Sequence, residues 1–417
     1  MLESNTCYND KCEGGLSKLE DNSVDLITTD PPYGYGFMGR QWDKALVSVD
    51  TWRECLRVLK PGAFAFIMSA PRQDVLSRMI VNIGDAGFKT DFTSICWVYA
   101  SGFPKAMNIS KAVEKKFGVE SVDAKALDGA YAGFQPKPGV EIVIVAMKPL
   151  AEGSYVDQAL ANGKGITWLD DGRIPFQSGK DVPGISSYPD IRNGGVSEGD
   201  KMWISASNRS REVLEGREYS PSQKGRFPSN ILVCDDALND GIMRKGGGSI
   251  VTPPSGRFSG LTYNGGIATD GDERPFDGYD DEGSASRYFD LDAWWEERIE
   301  SMDPAVLETF PFLLVPKAST SEKNTGLTEK NPHPTVKPVK LFNYLITLGS
   351  RKGDIVLDPF GGSGTTGVAA EISERDYILF EMEQDFHDIA CKRIEHQQKI
   401  TKRENPNMLS KIFKMKC

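Results

Sequence analysis

Residues 354–367 read Asp354-Ile355-Val356-Leu357-Asp358-Pro359-Phe360-Gly361-Gly362-Ser363-Gly364-Thr365-Thr366-Gly367. An apolar run ends in a carboxylate, passes through a glycine-rich turn and opens a helix. A short buried strand feeding a helix in this way is the unit of a helix-covered parallel sheet, so this stretch sets the fold class as α/β. Glycines let the backbone approach a ligand closely, and Gly362-x-Gly364-x-x-Gly367 satisfies the dinucleotide fingerprint. No lysine follows Gly364, which excludes a Walker-type phosphate loop. Three readings stay open on the glycines alone: a structural turn, a nicotinamide or flavin site, and a site for S-adenosylmethionine. Asp358 and Pro359 at the mouth favour the last, because a carboxylate there suits a cationic, phosphate-free ligand better than a pyrophosphate.

On either side of the turn the same grammar continues. Residues 341–348 have the spacing of a helix, 377–380 form the next strand ending at Glu381, and 385–397 form a further helix. Glu381 is spaced from the loop to accept hydrogen bonds from ribose hydroxyls. Residues 1–150 also alternate strands (6–8, 24–29, 63–68, 92–99, 140–147) with helices (14–21, 51–59, 74–86), and the expected sheet is parallel.

The strand at 24–29 runs into Asp30-Pro31-Pro32-Tyr33. Two prolines fix φ, and a residue before proline is pushed to extended geometry, so the Asp30 carboxylate and the Pro31 carbonyl are held in advance. Tyr33 adds a flat apolar face. Such an acceptor pair beside a ring suits a planar substrate carrying an amino group, and an ordinary turn capping a strand is the plain alternative.

From about 150 to 330 the texture changes to Gly, Ser, Pro and charge, with 230–234 its clearest strand and long irregular loops at 246–248 and 256–283. The net charge of −10 is localised: residues 270–303 hold thirteen acids against three arginines, leaving the rest near neutral. Basic residues gather at 201–260 and in the tail from Lys392, where phosphate could be met. The seven cysteines are scattered and only three histidines are present, which predicts reduced, mostly buried thiols and no metal site. No apolar run reaches membrane-spanning length, and residues 1–5 lack the pattern of a signal peptide, so a cytoplasmic protein is expected.

Asp358-Pro359-Phe360-Gly361-Gly362-Ser363-Gly364-Thr365-Thr366, with His333-Pro334-Thr335-Val336-Lys337-Pro338 before it and Phe380-Glu381 after it, resembles the cofactor half of the DNA amino-methyltransferases. Asp30-Pro31-Pro32-Tyr33 resembles their catalytic motif. The catalytic motif comes first and the cofactor loop last, which is the permuted order of the family's beta group. Further matches lie at 22–27, 56–62 and 102–105, while 226–230 and 284–289 look like phage and bacterial members.

The resemblance implies a Rossmann-like, circularly permuted sheet that binds S-adenosylmethionine and acts on double-stranded DNA. The implied organisation is a catalytic half at 1–150, an inserted irregular target-recognition region at 151–315, a cofactor half at 316–397 and a basic tail at 398–417. Asp30, Pro31, Pro32 and Tyr33 would be catalytic. Asp358, Phe360, Gly361, Gly362, Gly364 and Thr365 would line the cofactor, with Glu381 on its ribose. Thr335, Lys337 and Pro338 would lie near its methionine end, and Asp10 at its adenine end or, equally, as a cap. Phe37 and Trp42 are candidates for the pocket wall, with core packing the simpler role for Trp42. Arg209, Arg211, Arg217, Lys224 and Arg226 are candidates for DNA contact. Asp rather than Ser at position 30 points, within the family, to N6 of adenine rather than N4 of cytosine. A bacterial or phage-infected cell is the implied setting. A glutamine or RNA methyltransferase, a DNA-binding protein without catalysis and a nicotinamide oxidoreductase are the remaining readings.

Overall fold

In a computed structural model the described residues are 2–36, 39, 41–99, 106–117, 122–134, 139–175, 225–233, 244–245, 282–283, 293–294, 318 and 320–404. Along the chain the elements are β1 (Thr6–Tyr8), α1 (Cys12–Leu16), β2 (Val24–Thr29), α2 (Val49–Val58), β3 (Leu59–Ser69), α3 (Gln73–Asp85) and β4 (Ile95–Val98). There follow α4 (Ile109–Phe117), α5 (Val122–Ala126), β5 (Val140–Met147), α6 (Tyr155–Asn162), β6 (Ile231–Val233), β7 (Arg244–Lys245) and β8 (Glu282–Gly283). The last are α7 (Thr320–Asn324), α8 (Val339–Gly349), β9 (Ile355–Asp358), α9 (Thr365–Ile372), β10 (Asp376–Phe380) and α10 (Gln384–Glu404).

Two compact units share the chain: Met1–Ile174, Phe227–Ala237 and Phe289–Cys417 make the first, and Pro175–Arg226 with Leu238–Tyr288 the second. In the second, β7 and β8 pair antiparallel. Ile174, Leu232 and Trp294, which fall within 151–315, are buried in the apolar core of the first unit. The helix α6 is also part of it; its signal was Ser154, whose side chain accepts from the Asp157 N–H at 3.1 Å, and Gly163 in the left-handed region closes it.

The first unit is built on an eight-stranded sheet in the order β1-β10-β9-β2-β3-β5-β4-β6. Its faces follow from the strand period of two. Leu26, Phe64, Phe66 and Met68 point to one side, against α8, α9 and α10. Ile27, Ala65 and Ile67 point to the other, against α1, α2 and α3. The α2 helix shows how the sequence encodes this: Thr51, Trp52, Cys55 and Val58 share its buried stripe, and Ser48 caps it by accepting the Thr51 N–H at 3.1 Å. By contrast α8 is buried on every side.

One expectation is corrected. The sheet is mixed, since β5 runs antiparallel to both β3 and β4. Val98 faces Val140 across the ladder, so the chain leaves β4 and re-enters at the same rim after the excursion through α4 and α5. With no crossover to the opposite rim, β5 has to run backwards.

The two ends of the chain meet between β2 and β9, whose register sets Leu26 against Val356 and Ile27 against Leu357. At one rim the junction is tied by Asp25, which accepts from Lys60 (2.6 Å), Lys164 (2.8 Å) and the Ile355 N–H (3.0 Å). At the other rim, Thr29 donates its hydroxyl to Asp358 at 2.6 Å. The second rim is where the parallel strands end and where chain order reverses, the usual position of a ligand crevice.

Candidate active site

At that rim a cleft of about 460 Å³ opens, lined from both ends of the chain. Asp30, Pro31, Pro32 and Tyr33 enter it from the end of β2, and Asp358, Phe360, Gly361, Gly362 and Thr365 from the turn between β9 and α9. Thr335, Lys337, Glu381 and Asp10 complete the set of sequence-predicted residues on its wall, and Trp42 joins them. Gly364 and Pro338 are not among the lining residues. Phe37, Arg209, Arg211, Arg217, Lys224 and the stretch 101–105 lie outside the described residues.

The turn after β9 is held from several directions. Asp358 is buried, and its oxygens accept from Thr29, the Phe360 N–H at 3.0 Å and the Thr366 hydroxyl. Its carboxylate thus braces the loop while remaining part of the cleft wall. Burial pushes it up to about 6, against the pull of those donors. Gly364 has φ of +81°, and a Cβ there would stand 2.9 Å from the Ala390 Cα, so only glycine fits. Beneath, the buried Arg393 of α10 donates to the Ser363 carbonyl at 2.6 Å, and burial lowers its guanidinium to about 10.

Asp30 is engaged at both oxygens. Tyr33 donates its hydroxyl to Oδ1 at 2.7 Å, and the Lys337 ammonium donates to Oδ2. Lys337 also lies 3.3 Å from Glu141 and 5.7 Å from the centre of the Tyr33 ring. Burial pulls the ammonium down, but the carboxylates of Asp30 and Glu141 outweigh it and hold it above the usual lysine range. Desolvation, with Asp30 and Glu141 beside it, raises the Tyr33 phenol, so it stays a donor. The turn after Pro32 is pinned by the buried Asp43, which accepts the Tyr33 and Gly34 N–H groups at 2.7 and 3.0 Å.

Asp43, Glu141 and Arg393 escaped the sequence reading. Only Asp43 carried a local signal, an acid shortly after a Gly-rich turn. Asp10 pairs with Lys18 at 2.5 Å and accepts the Lys11 N–H at 2.8 Å; Lys11, not Asp10, is the N-cap residue of α1, and no side chain caps that helix.

Glu381 accepts the Glu383 N–H at 2.8 Å, and burial pushes its carboxyl up to about 7. Its ordinary value is 4.5, so the folded chain binds more protons than the unfolded one between those values. The stability linked to this group is complete below 4.5 and is lost as pH rises through about 7, a term on the order of 3 kcal/mol. The thermal midpoint of Glu381→Gln should therefore fall less than that of the wild type between pH 5 and 8. Equal slopes in calorimetry would assign the pH dependence elsewhere.

The cleft wall carries seven carboxylates (Asp10, Glu13, Asp30, Asp43, Asp358, Glu381 and Glu383) and two lysines, Lys11 and Lys337. Lys337 is already paired with carboxylates. That donor set suits a cationic ligand with hydroxyls and disfavours a pyrophosphate.

All five described cysteines are free thiols, with Cys7 and Cys55 buried. His387 and Cys391 stand four residues apart on α10, and the fold brings Cys7 to them, so that donor atoms of the three lie within 4.8 Å of one another. His387 Nε2 lies 3.0 Å from the Cys7 carbonyl oxygen, which accepts its proton in one tautomer.

Residues 24–392 match the family model described as DNA methylase, N6_N4_Mtase. Type II methyltransferase M2.MboI of Moraxella bovis is 37% identical over 90 residues, 22% of this chain and 31% of that protein. Type II methyltransferase M.HinfI of Haemophilus influenzae is 46% identical over 65 residues, 16% of this chain and 18% of that protein. The chain thus spans less than a third of the length of these curated relatives. Among solved structures, PvuII DNA methyltransferase (cytosine-N4-specific) aligns over 97% of this chain and 93% of its own, at 15% identity and a TM-score of 0.39.

Proposed function

The chain belongs to the N6/N4 DNA methylase family, and from that premise we propose that it transfers a methyl group from S-adenosylmethionine to an exocyclic amine of a base in double-stranded DNA, N6 of adenine. One observation carries the reading: Asp30 and the glycine turn stand at the ends of adjacent parallel strands and open on one cleft.

S-adenosylmethionine, when bound, supplies an electrophilic methyl on a sulfonium sulfur. The turn at 358–364, Glu381 and the segment at Thr335 and Lys337 would hold it, and the carboxylate-rich wall fits its positive charge. The chain's own task is positioning. A base amine is a weak nucleophile because its lone pair is delocalised into the ring. Asp30 and the Pro31 carbonyl accept its two N–H groups, favour a pyramidal nitrogen and fix the direction of its lone pair. The base has to leave the duplex, and Tyr33 offers the stacking face. Catalysis then needs no covalent intermediate on the protein.

The second unit, 175–226 with 238–288, is the candidate for reading the target sequence, and Arg226 belongs to it. Adenine is favoured over cytosine by aspartate at position 30. Sequencing DNA from cells that express the protein, with a method that reads modified bases, gives base and site together. N6-methyladenine at one recurrent sequence is the expected result. N4-methylcytosine would correct the base, and unmodified DNA would sink the reading.

A further inference from the structure

Glu141 touches the catalytic cluster, and amine methylation as described above gives it no task. It stands near the start of β5, and because β5 runs antiparallel this places it at the rim where β2 ends. Its Oε1 accepts the Tyr99 hydroxyl at 3.4 Å, which fixes the carboxylate. Its Oε2 is buried, lies 3.3 Å from Lys337 Nζ and makes no well-aligned hydrogen bond. Lys337, whose side chain is 9% exposed, therefore sits between two carboxylates, close on Asp30 and loose on Glu141.

We propose that Glu141 is a positioning residue that gives the Lys337 ammonium a second seat, so that the cation can slide off Asp30 Oδ2 and open that oxygen to the target amine. The inference rests on the amine-methylation reading. The physical need is plain. An ammonium has three N–H donors and competes with the amine for the same acceptor. Pulling a buried cation away from its sole counter-charge is costly, whereas a shift from one carboxylate toward another keeps it neutralised throughout. The charged and titratable groups around Lys337 are Asp30, Glu141, Tyr33 and, farther out, Tyr35. Of these, Glu141 alone offers an anionic seat apart from the reaction centre.

The test uses the full chain with Glu141→Gln, Glu141→Asp and Lys337→Met. In single-turnover transfer of labelled methyl to DNA, Glu141→Gln should be slower by roughly tenfold or more, with cofactor affinity unchanged. Glu141→Asp should recover part of the rate. Adding Glu141→Gln to Lys337→Met should slow transfer no further, since the effect runs through the lysine. Wild-type turnover in Glu141→Gln, or additive losses in the double variant, would overturn the proposal. The ¹⁵N resonance of the Lys337 ammonium supplies a readout free of activity: it should shift in Glu141→Gln, and an unchanged resonance overturns the proposal even if the wild type methylates nothing. Failure of the wild type to methylate DNA, by contrast, overturns the functional reading.

Discussion

Asp30→Ala should reduce methyl transfer by roughly a thousandfold or more while leaving cofactor affinity within a few-fold of the wild type. The asymmetry follows from where the residue stands. Asp30 lies at the end of β2, and the turn proposed to hold the cofactor is carried by β9, braced by Asp358 and Arg393 rather than by Asp30. Deleting the carboxylate removes an acceptor for the amine and leaves Lys337 with Glu141 alone at 3.3 Å. Breaking a buried pair by removing one partner costs about 3–5 kcal/mol, and the remaining carboxylate keeps the loss toward the low end. The thermal midpoint should fall by a few degrees, and transfer is therefore compared at a temperature where both proteins are folded. Asp30→Asn sharpens the test. Its amide oxygen can accept one N–H of the base, but its amide donors then face the Lys337 ammonium, so the pocket is mispaired and transfer stays low. Single-turnover incorporation of labelled methyl, with cofactor binding measured by calorimetry, separates the two effects. Transfer by Asp30→Ala near the wild-type rate would end the mechanism.

How much of this was legible in the chain depends on whether the determinant is local. The turn at 358–367 and the motif at 30–33 are written in contiguous glycines and prolines, whose backbone constraints act on their immediate neighbours. Both could be read directly, and the register of β2 on β9 brings them to one rim. Strand direction is different. The alternation in β5 is the same whichever way it runs, and only the path through α4 and α5 decides it. Glu141 inherits its position from that direction, so no local pattern marks it. Arg393 is similar: on α10 it reads as one charge among many in a solvated helix, and only packing shows it buried under Ser363. The Pro61-Gly62 pair shows the opposite failure. It reads as a stop between helix and strand, yet β3 starts at Leu59 and runs through it, and the β2 ladder shifts register between Val24 and Leu26 to accommodate the proline.

Asp358 offers the second large effect, one in which stability and binding can be pulled apart. Its carboxylate joins Thr29 of β2, the Phe360 N–H of the turn and Thr366 in the first turn of α9. Alanine would leave three buried donors without an acceptor, each worth about 1–3 kcal/mol, while relieving the carboxylate of its own burial cost. A net loss of about 3–5 kcal/mol is expected for Asp358→Ala. Asparagine should behave otherwise. Its oxygen can keep Thr29 and Phe360, and the Thr366 hydroxyl can turn from donor to acceptor toward the new amide, so Asp358→Asn should stay within about 1.5 kcal/mol of the wild type. The charge, however, is gone. With its carboxyl pushed up to about 6, Asp358 is ionised at neutral pH and adds negative potential to a cleft that we read as holding a sulfonium and an ammonium. Asp358→Asn should therefore fold almost normally and bind S-adenosylmethionine roughly tenfold more weakly, with the difference shrinking below pH 6, where the wild type also loses the charge. Denaturant unfolding checks the first half and calorimetric titration across pH the second. An Asp358→Asn protein that binds as tightly as the wild type at neutral pH would show that the carboxylate serves the loop alone.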